Sequence, residues 1–270
     1  MGRAIFVTSF KGGVGKTTVS ANLASALTYL GKSVLTVDAD FSNRCLDIVL
    51  GLENNSVFDC YDILKDGTAP SDAIIRSEKN PLLSLLPAPA NFSGEKLEQE
   101  RFISLFNELK SRYDYVLVDS SAEISDTYLS FAAVCDDAIV VSFHQSTAIR
   151  AAEKTATKLS ELGFSNVRLV VNIFHKEDSE AGRLPCVYDI ITRAHIRLIG
   201  VVPYDSNVSI DQEAGRVALE NVAKNPKKLK KLKEYERAFL NIARRICGEQ
   251  VPLLKGVYKT KGLKRLFSTT

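Results

Sequence analysis

The sequence predicts an α/β fold of the doubly wound kind, a mostly parallel sheet with helices on both faces. Three observations carry that prediction. Short apolar runs bounded by turn residues recur along the 270 residues, with helically patterned stretches between them. Several runs, such as Tyr115-Val116-Leu117-Val118 and Ile139-Val140-Val141, are continuous rather than alternating, as suits strands buried on both faces. Phe10-Lys11-Gly12-Gly13-Val14-Gly15-Lys16-Thr17-Thr18 then joins the first apolar run to a helical stretch, a glycine-rich loop where such sheets bind phosphate.

The elements follow in order. The run over 4–9 is the first strand, and the spacing from Val19 to Leu30 predicts a helix over 16–30. Val34-Leu35-Thr36-Val37-Asp38 sets a strand over 33–38, followed by helices over 44–50 and 57–65 and a strand over 83–86. A helix over 95–112 leads into a strand over 114–119, and a helix over 126–134 into a strand over 137–142. The second half repeats the pattern: helix 147–162, strand 167–172, helix 184–194, strand 197–201, helix 206–221 and a last helix over 226–247. In that last helix Leu229, Leu232, Tyr235, Phe239, Ile242 and Ile246 form a stripe packed on the sheet. Six lysines between Lys224 and Lys233 then form a solvated face, or a contact with membrane or DNA phosphates.

Composition bounds the function. Hydrophobic residues at 45% and charged residues at 25% are ordinary for a soluble globular protein, and residues 1–249 read as one domain. No run of about 18 apolar residues exists to span a membrane, and the N-terminus enters a strand at once rather than a leader peptide. Five scattered cysteines, none in C-x-x-C spacing, argue for reduced thiols in the cytoplasm and against an iron–sulfur carrier.

The glycine loop carries the chemistry and is expected to fit G-x-x-x-x-G-K-[ST], with Gly12 first and Gly15 last. Backbone N–H groups from Gly12, Gly13, Val14 and Gly15 through Thr18, with the helix N-terminus behind them, make a nest for phosphate. Lys16 would reach the β- and γ-phosphates of ATP, and the Thr17 hydroxyl would ligate Mg²⁺. Tyr113-Asp114-Tyr115-Val116-Leu117-Val118-Asp119 is an apolar strand ending in an acid, and Asp119 is the expected Mg²⁺-side carboxylate. Asp38 and Asp40, two apart in a strand, point the same way; alone, such a pair is more often a cap or a turn.

The lysine before the glycines, Lys11, resembles the signature of the deviant Walker A, K-G-G-x-G-K-T, of the MinD/ParA family of P-loop ATPases. That resemblance implies a P-loop NTPase fold, a Rossmann-like three-layer sandwich. It also implies a nucleotide-sandwich homodimer formed on ATP, in which Lys11 touches the partner's phosphates. Asp40 would position the attacking water and Asp38 would lie near the Mg²⁺ shell. The segment 40–53, with Arg44, Leu46, Asp47 and the closing Gly51-Leu52-Glu53, is similar to MinD-type members of the family. By the same analogy Asn172 would bond the adenine and Pro203 would flank it. Two positions depart from the family pattern. Ser120-Ser121-Ala122-Glu123 stands where S-P-A-G is usual, which puts the hydrolysis rate in question, and Cys45 replaces a usual Asn.

The tail over 250–270 carries five basic residues and no acid. On a helix from about 260, Leu263, Leu266 and Phe267 share one side, while Lys264 and Arg265 lie with Lys261 on the other. Such a segment suits an anionic membrane surface, docking of its apolar face on the domain, or a frayed basic terminus. It resembles the family's membrane-targeting tail. The resemblance therefore implies an ATPase peripherally associated with the cytoplasmic face of the membrane. It would work with a division inhibitor and a topological regulator in placing the septum. The alternative is a ParA-like or flagellar-number ATPase acting in DNA partitioning or on another cellular structure.

Overall fold

In the computed structural model, residues 1–53, 56–220 and 226–257 are described, with side chains in the last stretch from residue 229. Eight strands form one sheet in the order β3-β4-β2-β5-β1-β6-β7-β8. The strands are β1 (Arg3–Thr8), β2 (Val34–Ala39), β3 (Ile75–Arg76), β4 (Leu83–Leu86), β5 (Tyr115–Ser120), β6 (Asp137–Ser142), β7 (Val167–Phe174) and β8 (Arg197–Pro203). All neighbours pair in parallel except β3 with β4. The chain leaves β1 for β2 on one side, returns through β5 and continues through β6 on the other. That reversal opens a crevice at the carboxyl ends of β5, β1 and β6, where ligands of such sheets bind.

Burial on both faces follows from the alternation of side chains along each strand. Phe6, Val37, Val118 and Val140 belong to one core layer, with Phe102 and Phe106 from α5 (Gln99–Arg112) and Ile149 from α7 (Ser146–Glu161). Val7, Leu117, Ile139 and Val170 face the opposite layer, with α1 (Lys16–Tyr29) and α11 (Glu234–Ile246). From Val19 to Thr28 every residue of α1 is buried. Its run of Ala and Ser lets it lie close under the strands, and Ser25 Oγ donates to the Ala218 carbonyl.

The structure also redraws several expected elements. β3 is an antiparallel edge pair two residues long, too short to show a pattern in sequence. Short helices α4 (Pro70–Ala73) and α8 (Lys176–Glu180) fall where loops were expected. The helix expected over 206–221 is α10 (Asn207–Glu213), and the chain turns at Gly215, φ 57°. A Cβ on Gly215 would lie 2.6 Å from Gly51 Cα, so the turn also needs glycine for backbone approach. The single helix expected over 226–247 is a 3₁₀ turn, Pro226–Lys231, followed by α11.

Beyond α11 the chain doubles back as a strap over 251–257. Arg245 fixes it: Nη1 donates to the Ile199 carbonyl of β8 (2.7 Å), Nε to Val251 (3.0 Å) and Nη2 to Pro252 (2.9 Å). Val257 is buried at its end. The expected lipid-facing residues Leu263, Lys264, Arg265, Leu266 and Phe267 lie outside the described residues, as does Lys224.

Candidate nucleotide-binding site

Two left-handed glycines shape the loop, Gly13 at φ 75° and Gly15 at φ 86°. Gly15 is the N-cap of α1 and brings no side chain to bond the first-turn N–H groups, and no acid stands in that turn. The N–H groups of Lys16, Thr17 and Thr18 are therefore left for an anion, with the positive end of the helix behind them. Lys11 is exposed at the rim of the loop. The full pattern G-x-x-x-x-G-K-[ST] would put its first glycine five residues before Gly15, and Phe10 stands there. Its backbone N–H donates to Thr155 Oγ1 (3.1 Å) and its ring leans on Tyr128, 6.1 Å between centroids. The loop is thus anchored to α7 at one end and to α1 at the other.

A second anchor comes from β7. Asn172, 4% exposed, donates through Nδ2 to the Val14 carbonyl at 3.0 Å. A Cβ on Gly15 would meet that same Nδ2 at 2.4 Å. The structure places Asn172 against the phosphate loop, and its amide nitrogen is already engaged there. Pro203 is buried at the end of β8, next to the exposed Tyr204.

The carboxylates gather beside Thr17. Register pairs Asp38 with Asp119 across β2 and β5, and both are about 1% exposed. Asp119 Oδ1 accepts from Ser20 Oγ at 2.9 Å, one turn beyond Thr17 on α1. Burial pushes the Asp119 carboxyl up to about 6, against the pull of Thr17, Ser20 and Lys16. Burial, and then repulsion from Asp119, pushes Asp38 up to about 8. Asp38 accepts from the backbone N–H of Asp40 (3.1 Å), Cys45 (3.2 Å) and Leu46 (3.0 Å), the last starting α2 (Leu46–Leu50). Asp40 is half-buried, and its Oδ1 accepts from Ser42 (3.3 Å) and Asn43 (3.1 Å). Cap and turn roles are therefore realised, and they hold both acids at the mouth of the loop.

Two buried acids whose charge is unfavourable are a setting that a cation relieves. Among the described residues no three His, Cys, Asp or Glu side chains converge to hold a metal unaided. That fits Mg²⁺, which keeps its waters and takes one or two protein oxygens with the phosphates. Thr17 and Asp119 are the oxygens so placed, with Asp38 behind them. Cys45 Sγ lies 3.7 Å from Thr17 Oγ1, and burial pushes its thiol up to about 11, so it stands there protonated.

Several site residues escaped the sequence reading. Ser20 carried a signal, a hydroxyl one helical turn after Thr17. Gln212 of α10, whose Nε2 donates to Thr18 Oγ1 at 2.8 Å from 194 residues away, carried none. Nor did the rings at the far end of the crevice. Tyr204 stacks on His175 (4.4 Å) and His175 on His144 (5.4 Å). His144 is 1% exposed and accepts the His175 N–H at Nε2 (3.3 Å), leaving Nδ1 without a partner among the described residues. Burial, with His175 adding to it, pushes its imidazole down to about 4.

With this geometry in hand, the comparisons with known proteins agree. The profile of a family described as an AAA domain matches residues 2–166. The septum site-determining protein MinD of Synechocystis is 36% identical over 254 residues, covering 94% of this chain and 92% of that one. The MinD of Bacillus subtilis is 36% identical over 265 residues, covering 97% and 96%. Among solved structures, a chain of the MinC:MinD cell division protein complex of Aquifex aeolicus superposes with a TM-score of 0.82 at 32% identity, covering 94% of this chain and 99% of that one.

Proposed function

We propose a function from the premise that this chain belongs to the septum site-determining MinD family of P-loop ATPases. It binds and hydrolyses Mg-ATP, dimerises on ATP, and uses that cycle to place the division septum from the cytoplasmic face of the membrane. Supporting this is one observation above the rest, the exposed Lys11 at the rim of an open α1 N-terminus backed by buried Asp38 and Asp119.

Each residue has a task in that reading. The first-turn N–H groups and Lys16 hold the phosphates and oppose the charge that develops on the transferred group. Thr17 and Asp119 would hold Mg²⁺, which neutralises charge on the β- and γ-oxygens when bound. Asp40 orients the water. Lys11 completes the partner's site, so that hydrolysis and dimerisation are coupled. The complex named for the Aquifex aeolicus neighbour supports a division inhibitor as the partner of the ATP-bound dimer. Of residues 250–270, the strap over 251–257 is fastened to the ATPase domain, and the stretch after it would act as the membrane-targeting segment. One short segment binds weakly, and two presented by a dimer bind through effective concentration.

Co-sedimentation with anionic liposomes in ATP and in ADP tests the cycle, comparing the full chain, the chain ending at Lys255 and Lys11→Ala. The full chain should pellet in ATP alone, and both variants should stay in the supernatant. Equal pelleting of Lys11→Ala and the parent in ATP would sink the dimer-gated switch.

A further inference from the structure

Charge is divided unevenly along this chain. Residues 221–255 hold ten Lys or Arg against three Glu, whereas residues 1–220 hold 21 against 29 Asp or Glu. From Pro226 onward this stretch forms the 3₁₀ turn, α11 and the strap, and these three enclose an open groove of about 690 Å³. Its floor is apolar, built by Leu229, Leu232, Leu240, Leu253 and Leu254, with Leu229 still 40% exposed. Its rim is basic. Arg237 and Lys255 line it, and Lys230 and Lys231 are exposed on the turn that carries Leu229. The one carboxylate in the lining, Glu234, is ion-paired with Lys176, and Arg244 with Glu249. Among the described residues no acid pairs with Lys230, Lys231, Arg237 or Lys255.

We propose that this groove is a second, domain-borne contact with anionic lipid, taking a headgroup on its rim and acyl chain on its floor. An apolar floor inside a cationic rim matches a lipid better than a nucleic-acid backbone, which has no use for apolar surface beneath its phosphates. Position agrees as well: the groove's wall ends at Lys255, eight residues before Leu263. The groove thus lies on the strap from which the chain runs on toward the tail. The inference rests on the membrane reading above, and it adds that the domain meets the surface in a fixed orientation. Binding of the tail alone would leave it free to swing.

Two measurements on the full chain test it. The first is an amide NMR titration with monomeric dihexanoyl-phosphatidylglycerol, and in parallel with a 20-base-pair duplex. Lipid-induced shifts at Leu229, Leu232, Arg237 and Leu240 are expected. The second is ATP-dependent pelleting with vesicles of 30% phosphatidylglycerol in phosphatidylcholine, for the parent, K230E/K231E/R237E and Leu266→Glu. Each basic residue near an anionic surface contributes about a factor of five. The triple variant should therefore bind at least about tenfold more weakly at unchanged ATPase activity, and Leu266→Glu should lose binding. A triple variant that pellets like the parent overturns the groove while leaving the tail intact. A parent that never pellets sinks the membrane reading itself; lipid shifts confined to the groove would still uphold this proposal, and their absence would end it. Duplex shifts at the rim without lipid shifts would reassign the face to nucleic acid.

Discussion

The crevice has two unlike halves. On the side of the glycine loop, β1, β2 and β5 run in regular parallel register, and β2 and β5 present Asp38 and Asp119 at their ends beside Thr17 in the first turn of α1. On the other side, β7 and β8 pair with register shifts, and Ile173 sits at φ 51°, a strained place for a β-branched residue. The first half is built from charge whose burial is unfavourable without a cation. The second is built from stacked rings and a buried neutral histidine. In the proposed function the regular half would hold oxygens near phosphate, while the irregular half would shape a wall. Asn172 joins them, rooted in β7 but bonded to the loop at Val14.

The largest expected effect comes from breaking that joint. Gly15→Ala adds a Cβ at positive φ and drives it into Asn172, for about 1–3 kcal/mol of strain and loss of nucleotide binding. Asn172→Ala leaves the buried Val14 carbonyl without its donor, at about 1–3 kcal/mol. It should weaken ATP and GTP alike in equilibrium binding. Should it instead leave stability intact and alter only the preference for ATP over GTP, Asn172 is a base contact and the two halves are independent.

A smaller effect sharpens the phosphate side. Ser20→Ala removes the hydroxyl that fixes Asp119, so the Mg²⁺ concentration needed for half-maximal ATPase should rise about 10-fold to 100-fold. Metal-free nucleotide binding should not move. An unchanged Mg²⁺ requirement would mean that Thr17 alone orients Asp119.

The gentlest test is pH, because the halves respond with opposite sign in the nucleotide-free, metal-free protein. Asp38 and Asp119 are raised in the fold, so their contribution is full below about 4 and is lost as pH rises through about 6 and about 8. His144 is lowered, so its contribution is intact above 6.5 and is lost as pH falls toward about 4. Urea midpoints between pH 5 and 8 should therefore fall less steeply toward pH 8 in Asp38→Asn, and less steeply toward pH 5 in His144→Asn. Parallel profiles for both variants and the parent would remove titration from the contrast.

The same contrast explains what could be read in advance. Lys16, Thr17, Asp38, Asp40 and Asp119 were legible because each stands at a short, fixed offset from a strand end, so local spacing determines position. Most strands were legible too, since burial on both faces leaves continuous runs such as Val116-Leu117-Val118. The bond from Asn172 spans 158 residues, and no local pattern encodes which carbonyl its amide will meet. Phe10 was passed over because the glycines beside Lys16 dominate the eye, although its contacts with Thr155 and Tyr128 fasten the loop. The break between the 3₁₀ turn and α11 was hidden for a different reason. An apolar stripe at helical spacing runs from Leu229 to Ile246 whether or not the backbone is continuous.

Arg245 leaves one consequence for the end of the chain. By riveting Val251 and Pro252 to β8, a single guanidinium sets where the leash to the tail begins. From Val257 to Leu263 only six residues remain, a reach of about 20 Å when fully drawn out. Without the rivet the last fixed residue would be near 247, and the span from it to Leu263 would more than double. If the proposed dimer holds, one arginine far from the glycine loop would then set how far apart its two tails begin.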